Sequence, residues 1–187
     1  MSNVPNQITS GVLGTLYQDK QFAYWWHCDG ISIPFFDGMK MPVLFMDFDL
    51  AKDSDFILEA ENALTNFLQL NSADRFNISS LLFTNCMDFL REVGSEETDA
   101  ALWEMKHPDE VWKFAHFSQI TLTRRPYKEK DMYLVITGNC DWEQEHGIQL
   151  VFRQGKKLTR VSSQDGHITE ADARGISDEQ DELHSKF

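Results

Sequence analysis

The stretch RRPYKEKDMYLVITGNCDWEQEHGIQLVFRQGKKLTRV, residues 124–161, decides the fold. Tyr133, Val135 and Thr137 alternate with Leu134 and Ile136, and Ile148, Leu150 and Phe152 alternate with Gln149, Val151 and Arg153. A period of two over such lengths predicts strands with distinct faces. Gln154-Gly155-Lys156 then turns the chain into a last strand, Leu158 to Val161. Immediately upstream, Ile120 and Leu122 alternate with Thr121 and Thr123. The spacing predicts an antiparallel C-terminal meander.

Working toward the N-terminus, the period changes. Phe56, Ile57, Ala60, Ala63, Leu64, Phe67 and Leu68 recur at three and four, as on one face of a helix. Asp53, Ser54 and Asp55 supply capping oxygens at its start. Ser72 is placed to cap a second helix ending at Val93, before Gly94, and Pro108-Asp109-Glu110 opens a short third one. Earlier still, residues 31–36 and 43–48 alternate on either side of Asp37-Gly38 and predict a hairpin, with Pro34 marking an edge or a bulge. A hairpin, two to three helices and a meander make an α+β domain over residues 31–170: an antiparallel sheet with the helices on one face. Residues 1–30 read as an arm bearing an aromatic patch (Phe22, Tyr24, Trp25, Trp26, His27). Residues 171–187 read as an acidic, disordered tail.

The chain of 187 residues carries a net charge of −13. Residues 1–112 hold 18 acids and 6 bases, residues 113–160 hold 5 and 9, and residues 161–187 hold 7 and 2. Such acidity argues against binding to a nucleic-acid backbone, and no apolar run or charged leader predicts a membrane span or secretory signal. Cys28, Cys86 and Cys140 are far apart and odd in number, so buried free thiols in a reducing cytoplasm are expected. Hydrolase, P-loop and dinucleotide signatures are absent, and no cofactor is expected.

Three groups of residues carry candidate chemistry. Asp141, Glu143, Glu145 and His146 lie on one turn and offer oxygen and nitrogen ligands for a cation, or an acid–base pair with His167 beside Asp165. The competing reading is a charged loop turned by Gly147. Arg124 and Arg125, with Tyr127, can grip an anion or pair with the chain's own surplus carboxylates. Glu59, Glu61, Glu96, Glu97, Asp99 and Glu104, with Trp25, Trp26 or Trp103 as anchors, can face a protein partner.

The segments IPFFDG (33–38), ADRF (73–76), DFLREVG (88–94), PDEVWKF (108–114), RRPYKEKDMYLVIT (124–137) and CDWEQEHGIQLVFRQGKKLTRVSSQDGHIT (140–169) occur in this order. Over about residues 31–172 they resemble a family of small bacterial proteins known as a domain of unknown function. The resemblance implies a cytoplasmic protein and assigns no catalytic residue. Two functions are expected on these grounds. The first is a non-catalytic acidic domain that binds a protein partner, such as a basic toxin neutralised by an immunity protein. The alternative is a metal- or anion-binding enzyme centred on residues 141–146. Neither oligomeric state nor partner identity is legible.

Overall fold

The computed structural model describes residues 6–94, 99–126 and 128–184. Eight strands form one sheet in which spatial order follows chain order. They are β1 (Gln7–Ser10), β2 (Gly14–Gln18), β3 (Trp26–Ile33), β4 (Met39–Phe45), β5 (Ala115–Arg124), β6 (Met132–Cys140), β7 (Ile148–Arg153) and β8 (Lys157–Ser162). Every neighbouring pair is antiparallel except β4 and β5, where Val43, Leu44 and Phe45 lie beside Ile120, Thr121 and Leu122 in parallel. A parallel pair needs a long crossover. That crossover contains α1 (Phe56–Phe67), α2 (Ser72–Asn77), α3 (Ser79–Val93) and α4 (Ala100–Trp103), then a 3₁₀ turn at Pro108–Phe114. The α+β class expected from the periodicities is the observed one.

The alternation in β4–β8 gives the sheet two faces with different covers. Val43, Phe45, Ile120, Leu122, Leu134, Ile136, Leu150 and Phe152 share the main core with Phe56, Leu64, Phe67, Leu82 and Leu90 of the helices. On the other face Tyr133, Val135 and Val151 form a smaller cluster with Ile168. The segment after Ile168 covers that face. It comprises α5 (Glu170–Arg174) and a 3₁₀ turn at Asp178–Gln180. No helix among the described residues is long and apolar enough to cross a membrane.

Several expectations need correcting. Residues 7–18 are not a loose arm but a hairpin added to the sheet, with Ser10 and Leu16 buried. The aromatic patch divides: Trp26 enters the core, Trp25 is half-buried and stacked on Phe22 at 4.4 Å, and Phe22 and Tyr24 stay exposed. The strand expected from residue 31 begins at Trp26. A bulge between Cys28 and Ile31, with Gly30 at φ +105°, breaks its period and so hid its first half. Pro34 is on neither an edge nor a bulge; it opens a 3₁₀ turn, where its missing N–H is harmless. Asp55 occupies the N-cap of α1 without a side-chain bond, and Asp53 is taken by Arg124. Asn71, not Ser72, caps α2, in a capping box with Asp74. The tail expected to be disordered is ordered through Leu183 and His184, and Asp181 is buried.

The β7–β8 turn touches the helical layer through Gly155. Its φ is +68°, and a Cβ there would lie 1.8 Å from the carbonyl oxygen of Ala63 in α1. Gly155→Ala combines a left-handed backbone with a backbone clash, so it should cost at least about 2 kcal/mol. A urea midpoint unchanged from that of the wild type would contradict this close approach.

Candidate functional site

Successive residues of a strand point to opposite faces. Arg124 ends β5 and Arg125 follows it directly, and the two side chains grip different layers. On the helical face, Arg124 donates from Nε to Asp53 at 3.0 Å, and from Nη1 to Glu59 and the carbonyl of Lys130. Its guanidinium also lies 5.5 Å from the Phe56 ring centre. Burial works against its charge, but Asp53 and Glu59 outweigh burial and hold its pKa above the ordinary value.

On the opposite face the side chain of Arg125 is 0% exposed. Its fork meets Asp172 side-on, Nε to Oδ2 at 2.7 Å and Nη2 to Oδ1 at 2.8 Å. A second bidentate pair forms with Asp178, Nη2 to Oδ1 at 2.7 Å and Nη1 to Oδ2 at 3.0 Å. Nη1 also reaches Glu129 Oε2 and His184 Nε2, each at 3.3 Å. Nε2 of His184 also lies 3.1 Å from the Tyr133 hydroxyl, so the imidazole sits between the arginine and the phenol. Tyr133 gives its single hydroxyl proton to Glu129. Burial, reinforced by the Glu129 carboxylate, pushes the Tyr133 phenol up and keeps it neutral.

A second buried arginine secures the start of the same segment. Arg160 donates to Ser162 Oγ at 2.8 Å and to the carbonyl of Thr169 at 2.6 Å, and it pairs with Asp165 and Glu170. Asp181 organises the far end, accepting from the amides of Ala171, Leu183 and His184 at 2.9, 3.1 and 3.0 Å. Residues 169–184 therefore form a strap held to the sheet mainly by polar contacts.

Glu129, Asp178 and His184 bring one ligand atom each to within 4.8 Å of one another, the grouping among the described residues that has metal-binding spacing. Nη1 of Arg125 is within 3.3 Å of all three side chains. A guanidinium therefore fills the place a cation would take, and the cluster is an arginine socket.

The structure does not bring Asp141, Glu143, Glu145 and His146 to a common point. Asp141 pairs with His116 at 2.8 Å. Glu143 accepts from the amides of Glu145 and His146, so its carboxylate shapes the turn, while Glu145 is exposed. Trp142 is buried and donates to Asn85 of α3 at 3.3 Å, which ties the loop to the helices. His146 and His167 do not pair with each other; each stays beside the carboxylate of its own turn, Glu143 or Asp165. The three thiols are buried, and burial pushes Cys86 and Cys140 up to about 12. Such thiols are poor nucleophiles.

Of the acids expected to meet a partner, Glu59 is held by Arg124, and Glu61 accepts from the amide of Gly11. Glu96, Glu97 and Tyr127 lie outside the described residues. Trp103 remains partly exposed on α4 and Glu104 is exposed beside it. Glu129, Tyr133, Asp172, Asp178 and His184 were not foreseen as a cluster. The strand parity of Arg125 and Tyr133 was a signal for part of it; the tail residues carry no comparable pattern.

A family model for a domain of unknown function, DUF6985, matches residues 12–168. The chain belongs to this family. The match begins at Val12 in the turn after β1, takes in β2–β8 and the helical crossover, and ends at Ile168, where the strap begins. No curated protein and no solved structure matches the chain.

Asp172 and Asp178 are both held below their ordinary value of 3.8, first of all by hydrogen bonds from Arg125. A depressed carboxyl pKa contributes stability that is present above the unfolded value and is lost as pH falls through the folded one. The urea midpoint of the wild type should therefore fall as pH drops below 3.8. In Arg125→Met that fall should be shallower, with stability near neutral pH reduced by about 3 kcal/mol. Parallel pH profiles for the two proteins would show that Arg125 does not hold these carboxylates.

Proposed function

We propose that this domain is a non-catalytic module that binds a basic protein, through an acidic corner of its helical layer. The observation that carries this reading is the junction of α3 and α4. Trp103, 39% exposed, lines a shallow recess with Leu90, Arg91 and Gly94. Val93, 61% exposed, precedes Gly94, and the exposed acids Asp88, Glu92 and Glu104 stand on the same elements. An exposed tryptophan and valine on elements that also carry exposed carboxylates, one of them (Asp88) paired with Arg91, match an interface in which an aromatic anchor fills a pocket and charge sets orientation and association rate. A basic toxin or basic enzyme is the partner class this corner fits. The setting in this reading is a bacterial cytoplasm, where buried unpaired thiols stay reduced.

The test is a paired capture from the native host's lysate at low salt. One column carries the wild type and the other carries a Trp103→Ala, Glu92→Lys, Glu104→Lys variant. A basic protein retained by the wild type, released by salt and missing from the variant column is the expected result. Equal recovery on both columns, or none on either, would overturn the assignment of this corner.

A further inference from the structure

We propose that the Arg125 face of the sheet is a recognition site for an acidic peptide, and that the strap occupies it in cis. This goes beyond the reading above and concerns the opposite side of the molecule. Arg125 presents a planar fork and takes two carboxylates side-on, from residues six apart in one short segment. Bidentate pairing of this kind is geometrically selective, because the fork matches carboxylate oxygens. Around it stand Glu129 and Tyr133, a ready donor–acceptor rim, and Arg160 binds the carbonyl of Thr169 a few residues upstream. The site thus reads both charge and backbone, as a peptide-binding surface does.

Site and occupant are separable in the sequence. The family match contains Arg125, Glu129, Tyr133 and Arg160, whereas Glu170, Asp172, Asp178 and His184 all lie beyond its end at residue 168. The strap's hold is also of a kind another chain can reproduce. Beyond Ile168 its fully buried apolar side chain is Ala171, with Ile176 and Leu183 partly buried, and the contacts that fix its place on the sheet include hydrogen bonds and ion pairs. A competing segment with two suitably spaced carboxylates supplies the same contacts, so exchange leaves Arg125 paired throughout.

The probe is a fluorescent synthetic peptide of residues 168–184, tested against the full-length chain. Asp172→Asn with Asp178→Asn loosens the resident strap, so trypsin should cut at Arg174 faster than in the wild type. This variant should bind the peptide about tenfold or more tightly than the wild type does. Adding Arg125→Gln, or placing Asn at both aspartate positions of the peptide, should abolish the gain. Should the double variant fail to fold, the unmodified protein carries the test: excess peptide should speed cleavage of its own strap at Arg174. An opened strap without peptide binding, a strap equally protected in the variant, or peptide binding indifferent to Arg125 would each overturn the proposal.

Discussion

The opposed directions of Arg124, the last residue of β5, and Arg125, the residue after it, are the constraint on which the rest depends. Because Arg124 and Arg125 are adjacent, they must face opposite ways, and each has become the fastening of a different layer. Arg124 draws Asp53 and Glu59 of the helical layer to the sheet. Arg125 holds Asp172 and Asp178 of the strap. The molecule is thereby three layers deep at its C-terminal half, with the sheet in the middle. A slip of one residue in the β5–β6 register would turn each guanidinium to the opposite face, away from the carboxylates that now hold it.

The energetic role of the Arg125 cluster follows from magnitudes. Hydrophobic burial on the helical face dominates stability, since that core contains most of the large rings. A buried ion pair roughly breaks even against an apolar replacement, while removing one partner alone costs about 3–5 kcal/mol. The cluster is thus a weak source of net stability and a strong source of specificity: it dictates where residues 169–184 lie. The same asymmetry lets a second acidic segment compete for Arg125, but makes a vacant Arg125 unfavourable.

How much of this was legible depends on whether a residue's signal is local. The strands around Tyr133–Thr137 and Ile148–Phe152 announce themselves by alternation, and α1 by its recurring Phe and Leu positions. β3 was read five residues short because the bulge at Gly30 resets its period. The hairpin at residues 7–18 was read as an arm because only Ser10 and Leu16 of it are fully buried, too few to make a pattern. The acidic tail fits the composition of a disordered segment, yet it is ordered by charges lying elsewhere in the sequence. Pairing of Arg124 and Arg125 with the chain's own carboxylates was one of two readings open from composition. Which carboxylates was not readable, because Asp172 and Asp178 are separated from Arg125 by 47 and 53 positions. The charged loop at residues 141–146 shows the converse, that proximity in sequence is not convergence in space: Asp141 turns to His116 while Glu143 bonds the backbone of its own turn.

Hydrogen exchange measured by NMR on the native protein tests the central claim most directly. If Arg125 fixes the strap as a third layer, its guanidinium protons and the amides of Ala171, Leu183 and His184 exchange slowly in the wild type, and those three amides speed up together in Arg125→Met. Fast exchange at those amides in the wild type, or protection unchanged by the substitution, would contradict the account.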